Sequence, residues 1–323
     1  MFALEKQLKF EIERFKVKNE QIESIFIGGG TPSTVKPHLY KDIFKILSPL
    51  IKKDIEITTE ANPNSATLSW LKGVYDLGVN RVSFGVQSFN KDKLKALNRT
   101  HLPDDAIDAI INAKEIGFKH ISLDLIYNYK GDTKELLIKD IKKAFSLPID
   151  HISAYELTIE DGTKFSKTPE VKQEDDNLAF FVADEIKKRG FNQYEISNFG
   201  VYESYHNRGY WELKDYMGVG AGAVGFKEDR RYYPTTDIDN YIENPLNIEE
   251  EKITDDELLT EKIFLGLRSN IGVDESILDK EMRERANFLV KENRLFKEGD
   301  LYKNSNFFLS DEIALYIIMP REV

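Results

Sequence analysis

No cysteine occurs among the 323 residues. Disulfides, thiolate metal sites and cysteine nucleophiles are therefore excluded within this chain. Long apolar runs are missing too, and no transmembrane helix is expected. The N-terminal stretch "MFALEKQLKFEIERF" carries acids from Glu5 onward and lacks a long apolar core, so it does not read as a signal peptide. The expected compartment is the cytoplasm. Positive charge is in deficit, with a net charge of −11. That argues against a general nucleic-acid binder, whose affinity comes largely from neutralising phosphates. No Walker loop, GxGxxG, HExxH, EF-hand or nucleophile elbow is found.

What is present is a rhythm. Apolar, β-branched runs recur at 24–30, 55–63, 81–89, 120–127, 151–158 and 192–197. Between them lie apolar residues at helical spacing, such as Leu39, Ile43, Ile46, Leu47 and Leu50, or Leu136, Leu137, Ile141 and Ala144. Strand then helix, repeated about every 30–40 residues, predicts parallel βαβ units. Polar residues interrupt these runs at Glu60, Gln87, Asp124, Glu156 and Glu195. Polar side chains at successive strand C-termini are how a (β/α) barrel builds its site, so a barrel-like arrangement is expected. The first helix, with Leu4, Leu8, Ile12 and Phe15 on one face, has no strand before it. After Gly200 the rhythm breaks. Residues 204–226, rich in glycine and aromatics, read as irregular structure over a site, and 230–247 as a linker. From about Thr254 helices followed by a hairpin around Gly299-Asp300 predict a small winged-helix-like module. The expected division is a partial barrel over 1–200, a loop region and linker over 201–250, and the C-terminal module over 251–323.

Several constellations carry chemistry. "ESIFIGGGTPSTV" runs from a strand into three glycines, Gly28, Gly29 and Gly30. Such a stretch serves either a tight strand-to-helix turn or a backbone that grips a ligand. Glu60, Gln87, Arg99 and Asp124 fall on the predicted rim beside it. Glu60 and Arg99 could simply pair. Together, though, the four suit a zwitterionic, hydroxyl-rich ligand: arginine forks onto a carboxylate, while carboxylates and an amide take hydroxyls and an ammonium. His120 and His151 begin strands and read as structural, and His38 as surface. His101 follows Arg99 and could approach the site. His206 stands in "YHNRGYW" with Asn207, Tyr210 and Trp211. A neutral histidine among aromatic faces could ligate haem iron, or could hold a loop by hydrogen bonds.

Taken in order, "IFIGGGTPS", "TTEANP", "NRVSFGVQSF", "LNRTH", "LDLIY", "ISAYELTIE" and "HNRGYW…YMGVGAGA" resemble the oxygen-independent coproporphyrinogen III oxidase family of radical S-adenosylmethionine (SAM) proteins, in its haem-chaperone branch. The similarity runs from about Ile22 to the C-terminus. It implies a partial (β/α)6 barrel that holds a [4Fe–4S] cluster and SAM. Position by position, Gly29, Gly30 and Thr31 match the glycine motif against the methionine part of SAM. Glu60, Gln87, Arg99 and Asp124 match the family's other SAM contacts. His206, Asn207, Tyr210 and Trp211 match the HNxxYW motif of the chaperone-like branch, near where haem is thought to bind.

The departures are informative. The family's CxxxCxxC cluster motif follows its first strand, and this chain holds neither that strand nor a cysteine. Without thiolates the cluster has no ligands; in the resemblance it belongs to a full-length member only. Truncation of an ordinary member is the favoured explanation, because a natural loss would more plausibly mutate cysteines than remove a strand and expose a sheet edge. The family's Gly-Leu-Pro after "LDL" is replaced by "YNYKGD" at 127–132, and its histidine after "GAGA" by Val224. The expected function is haem chaperoning: binding haem and SAM and passing haem to recipient haemoproteins, with peripheral membrane contact through those recipients. Anaerobic oxidative decarboxylation of coproporphyrinogen III and a cluster-free binding scaffold are the two alternatives.

Overall fold

The computed structural model describes residues 1–159, 162 and 164–319. Glu160, the last residue of "ISAYELTIE", and residues 320–323 of the C-terminal module lie outside the described residues. In chain order the first half comprises α1 (Phe2–Phe15), β1 (Ile22–Ile27), α2 (Lys41–Leu47), β2 (Ile51–Ala61), α3 (Leu68–Tyr75), β3 (Arg81–Gln87), α4 (Lys91–Ala96), α5 (Pro103–Ile116), β4 (His120–Tyr127), α6 (Lys134–Phe145), β5 (His151–Glu156), α7 (Asp176–Lys187), β6 (Asn192–Gln193) and β7 (Asn198–Gly200). Then follow α8 (Tyr205–Trp211), β8 (Gly225–Lys227), β9 (Arg230–Pro234), α9 (Ile238–Glu243), β10 (Ile248–Lys252), α10 (Asp255–Leu267), β11 (Val273–Asp274), α11 (Lys280–Lys291), β12 (Leu295–Glu298), β13 (Leu301–Asn304) and α12 (Ser310–Ile318). Two compact units form: 24–39 with 54–203, and 1–23 with 40–53 and 204–323. No helix among the described residues is long and apolar enough to cross a membrane.

The first of these is a sheet unit. Its strands run in the order β1-β2-β3-β4-β5-β7-β6, with β2 through β5 parallel. Side chains alternate between two faces. Val82, Phe84, Val86, Ile121, Leu123, Leu125, Ile152 and Ala154 are buried on one face against the crossover helices. Each large apolar side chain there contributes about 1.5–3 kcal/mol. The helices begin where the sequence supplies caps: the Thr67 side chain accepts from the Trp70 N–H, Asn90 from Lys93 and Thr133 from Leu136. α5 starts on Pro103 and stops at Gly117, whose φ is 109°.

The parallel rhythm ends one strand earlier than the sequence predicts. The run 192–197 is not a sixth parallel strand. Only Asn192–Gln193 is strand, and β7 returns antiparallel to both β6 and β5. The connection between β6 and β7 is far too short for a crossover, which needs a dozen residues or more. Glu195 therefore sits in the connection between them, not at the end of a parallel strand.

The second unit corrects two expectations. Residues 204–226 are not irregular throughout: Ser204 caps α8 by accepting from the Asn207 N–H, and β8 follows. The stretch 230–247, expected as a linker, holds β9 and α9. Its strand pairs antiparallel with β8 and with the acidic β10, whose "IEEEK" carries no apolar alternation to announce it. The winged-helix-like module is present. α10, α11 and α12 close over Ile263, Leu267, Leu289, Tyr302, Ile313 and Ile317, beside a sheet ordered β11-β13-β12. The β12–β13 turn passes through Gly299 at φ 60°, a conformation glycine adopts without strain.

Candidate strand-end site

The three glycines have distinct reasons to be there. A Cβ on Gly28 would lie 2.4 Å from a Phe26 ring carbon and 3.2 Å from the Glu60 carboxyl carbon, so no side chain fits. Gly29 and Gly30 have φ of 74° and 55° and open space where a Cβ would stand. Their backbone is thus left-handed and bare, available to a ligand at van der Waals distance. The Gly29 N–H donates to Glu60 Oε2 at 3.2 Å. Past Thr31 the chain makes a 3₁₀ turn at Pro32–Thr34. Ser33 Oγ meets Ser65 Oγ at 2.6 Å and accepts from the Asn62 N–H at 2.9 Å. The glycine loop is thereby tied to the residues that follow β2.

The sheet face opposite the apolar core is mostly polar or glycine, with Ile126 of β4, opposite Tyr155, as an apolar exception. Glu56, Thr58 and Glu60 come from β2; Arg81, Ser83, Gly85 and Gln87 from β3; His120, Ser122 and Asp124 from β4; His151, Ser153 and Tyr155 from β5. Toward the strand starts these groups satisfy one another. Ser122 Oγ and Tyr194 Oη bond the two ring nitrogens of His151, each at 2.7 Å. Asp150 meets His120 Nδ1 at 2.6 Å, and the His120 ring stacks on Tyr202 with centroids 3.4 Å apart. Tyr202 donates to Glu56 Oε2 at 2.6 Å. The structural reading of His120 and His151 is correct.

Toward the strand ends acceptors accumulate. Ser83 Oγ donates to Asp124 Oδ1 at 3.3 Å. Burial first, then repulsion from Glu60, pushes the Asp124 carboxyl up to about 6; Ser153, Ser83 and Arg81 oppose this. Burial also raises Glu60, with the Gly29 N–H opposing. Glu195, 1% exposed, is pushed up to about 7 by burial against N–H donors of Ser197 and Asn198. Burial thus weakens the acidity of three carboxyls, all of which act on Tyr155, and none of them forms an ion pair among the described residues. Arg99 lies in the field of Asp124 but makes no ion pair among the described residues. The Glu60–Arg99 pair considered from the sequence does not form; Glu60 binds backbone instead. Gln87 is buried at the end of β3 with φ 66°, and a register shift separates it from Phe84.

The sheet unit thus brings Gly29, Gly30, Glu60 and Asp124 together, with Gln87 at the end of β3 and Arg99 in the connection between α4 and α5, in the field of Asp124. Asp124 is the fifth residue of eight in β4 rather than its last. His101 does not face open space: it is 1% exposed and its Nε2 donates to Val86 O at 3.0 Å. Ser83, Ser153 and Tyr155 escaped the sequence reading. Tyr155 stands in the field of Asp124, Glu195 and Glu60. The available signal was the period-two alternation, which puts Ser153 and Tyr155 on the face of Asp124.

The haem candidates belong to the other unit. On α8 the His206 and Tyr210 rings meet edge to face at 5.0 Å; Tyr210 and Tyr216 follow at 4.7 Å, and Tyr216 and Phe226 at 6.1 Å. Trp211 is half-buried and Tyr210 is 41% exposed. The glycine-rich loop beyond is anchored by Gln7 of α1, which donates to Gly218 O at 3.2 Å and accepts from the Gly220 N–H at 2.8 Å.

Residues 4–144 match the Radical SAM superfamily. The chain is 34% identical over 277 residues to the heme chaperone HemW of Lactococcus lactis, covering 81% of this chain and 73% of that protein. It is likewise 34% identical over 277 residues to the heme chaperone HemW of Bacillus subtilis, covering 80% and 73%. Among solved structures it is similar to coproporphyrinogen III oxidase (HemN) of Escherichia coli, a radical SAM enzyme. There the TM-score is 0.80 at 20% identity, covering 98% of this chain and 82% of that one. This last likeness shows the fold, a radical SAM-type partial barrel with a C-terminal domain. The chain belongs to the oxygen-independent coproporphyrinogen oxidase-like family of radical SAM proteins, in its haem-chaperone branch.

Proposed function

We propose that this chain is a haem chaperone that binds haem and SAM and passes haem to recipient haemoproteins in the cytoplasm. The observation that carries the reading is its identity to heme chaperones over four-fifths of its length. The proposed functional division follows the sequence: SAM binding within 1–200, a glycine- and aromatic-rich region over 201–250, and the module over 251–323.

The strand-end residues fit SAM. Gly29, Gly30 and Thr31 offer bare backbone to the methionine part. Glu60 and Asp124 are half-buried acceptors whose field suits an ammonium and a sulfonium. Arg99, without an ion pair among the described residues, suits the carboxylate, and Gln87 the ribose. Bound SAM supplies a sulfonium whose cleavage is the radical chemistry of this superfamily. The family also implies a [4Fe–4S] cluster, and here the fit fails. The chain has no cysteine, and no group of three His, Asp or Glu among the described residues is placed to hold a metal. No step is derived through the cluster, and the decarboxylase alternative has no support from residues of this chain. For haem, His206 with Tyr210 and Trp211 on α8 are the proposed contacts.

Two titrations test the reading. SAM should bind saturably by calorimetry, and Gly30→Ala, which forces a side chain into a left-handed φ, should weaken it. Haem should give a Soret shift that His206→Ala diminishes. A haem titration identical in wild type and His206→Ala would remove that histidine as a ligand, and the absence of any Soret change would remove the chaperone reading.

A further inference from the structure

Gln87 holds a backbone conformation that a glutamine rarely adopts. Its φ is 66°, and the Ser88 N–H donates back to Val86 O at 2.8 Å. This is a γ-turn with positive φ, an uncommon and strained form. The ladder with β4 breaks at the same point, Phe84 facing Leu123 but Gln87 facing Leu125, so β3 carries one extra residue. The turn aims the amide over Gly85, where a Cβ would come within 3.0 Å of Gln87 Nε2. That is the polar face of Ser83 and Asp124.

Such strain persists only where the surroundings over-determine it. On one side Asp140 of α6 accepts from Ser88 Oγ at 2.6 Å and from the Phe89 N–H at 2.8 Å. On the other, His101 Nε2 gives the Val86 carbonyl its second hydrogen bond, at 3.0 Å. His101 is buried, and its Nδ1 has no hydrogen-bond partner among the described residues. Nε2 is the donor to this carbonyl, and burial keeps the ring's pKa below the usual histidine value. A leucine or phenylalanine would fill the same space without stranding an acceptor. Packing alone therefore does not account for a histidine here; the donated hydrogen bond does.

We propose that His101 is a positioning residue that holds the Gln87 turn against Asp140 and thereby sets the affinity of the strand-end site for SAM. The proposal rests on the SAM reading of that site. His101→Phe removes the donor and the stranded acceptor together. We expect its melting temperature to equal or exceed that of the wild type. SAM should bind about three- to tenfold more weakly, the worth of one neutral hydrogen bond. His101→Gln, which retains a donor, should stay within about twofold of wild type. In a Gln87→Ala background His101→Phe should have no further effect, because the side chain being positioned is gone. Ligand-free hydrogen exchange of the Ser88 amide should quicken in His101→Phe and not in His101→Gln. Unchanged Ser88 protection in His101→Phe overturns the proposal whatever SAM does. So does an equal loss of SAM affinity with or without Gln87. No saturable SAM binding by the wild type overturns instead the reading of the site, and with it the affinity claim, while the exchange experiment still judges the turn.

Discussion

Asp124→Asn should make the ligand-free protein more stable and a poorer binder. The carboxyl in an unfolded chain loses its proton near 3.8, whereas in the folded sheet it does so at about 6. Burial and the nearby Glu60 make the charged form costly, and Ser83 and Ser153 recover only part of that cost. Holding the carboxyl near 6 makes its ionisation in the folded state about 3 kcal/mol more expensive than in the unfolded one. The sign follows from proton counting. Between about pH 4 and 6 the folded state binds the extra proton, so the wild type loses stability as pH rises through that window and stays lower above it. Asparagine keeps an acceptor for Ser83 Oγ and has nothing to ionise. Urea unfolding of both proteins at pH 4, 6 and 7.5 should therefore show a difference that is small at pH 4. It should grow to about 3 kcal/mol in favour of the variant at pH 7.5. SAM affinity, measured in parallel at pH 7.5, should fall. A variant less stable than wild type at pH 7.5, or a difference that does not change with pH, would refute the account of Asp124 as a carboxyl held against its preference.

Two other substitutions probe contacts within each unit. Lys93 Nζ meets Asp132 Oδ1 at 2.6 Å with both side chains buried, and also donates to Ile126 O. Lys93→Met should cost about 3–5 kcal/mol by leaving a buried carboxylate alone, and adding Asp132→Asn should recover most of it, read as urea midpoints. Gly218→Ala would set a Cβ 2.1 Å from the Ala223 carbonyl oxygen and 2.3 Å from that of Val224. Because these are backbone atoms the loop must shift, and hydrogen exchange should quicken at Gly220, whose N–H is held by Gln7. Unchanged exchange there would mean the loop accommodates the methyl.

Much of the protein was legible without coordinates because it is written in local periodicity. Leu136, Leu137, Ile141 and Ala144 announce α6 by their spacing, and Thr133 caps it. The strand at 81–87 announces itself by β-branched and aromatic residues, and the same alternation that buries Val82, Phe84 and Val86 delivers Arg81, Ser83 and Gly85 to the other face. The family followed from ordered motifs: the glycine stretch, Glu60, Gln87, Arg99 and Asp124 stand in the family's order along the chain. The absence of cysteine also needed no structure: a chain without thiols offers none to a cluster.

What the sequence left open depends on pairings between distant residues. The 192–200 segment has strand composition in either direction, and only its pairing with β5 makes β7 antiparallel. β10 is acidic and patternless, and exists because β9 supplies its hydrogen bonds. Whether Glu60 pairs with Arg99 or accepts from Gly29 is a matter of distances that no spacing rule encodes. The clamp on Gln87 is the clearest case: Val86, His101 and Asp140 are far apart in the chain, and each alone is an ordinary residue. Local propensity fixes which segments become strands and helices, because it acts through neighbours a few residues away. The strained turn, the shared field of three carboxyls and the open backbone at Gly29 and Gly30 arise only when tertiary packing brings remote groups within hydrogen-bonding and Coulombic range.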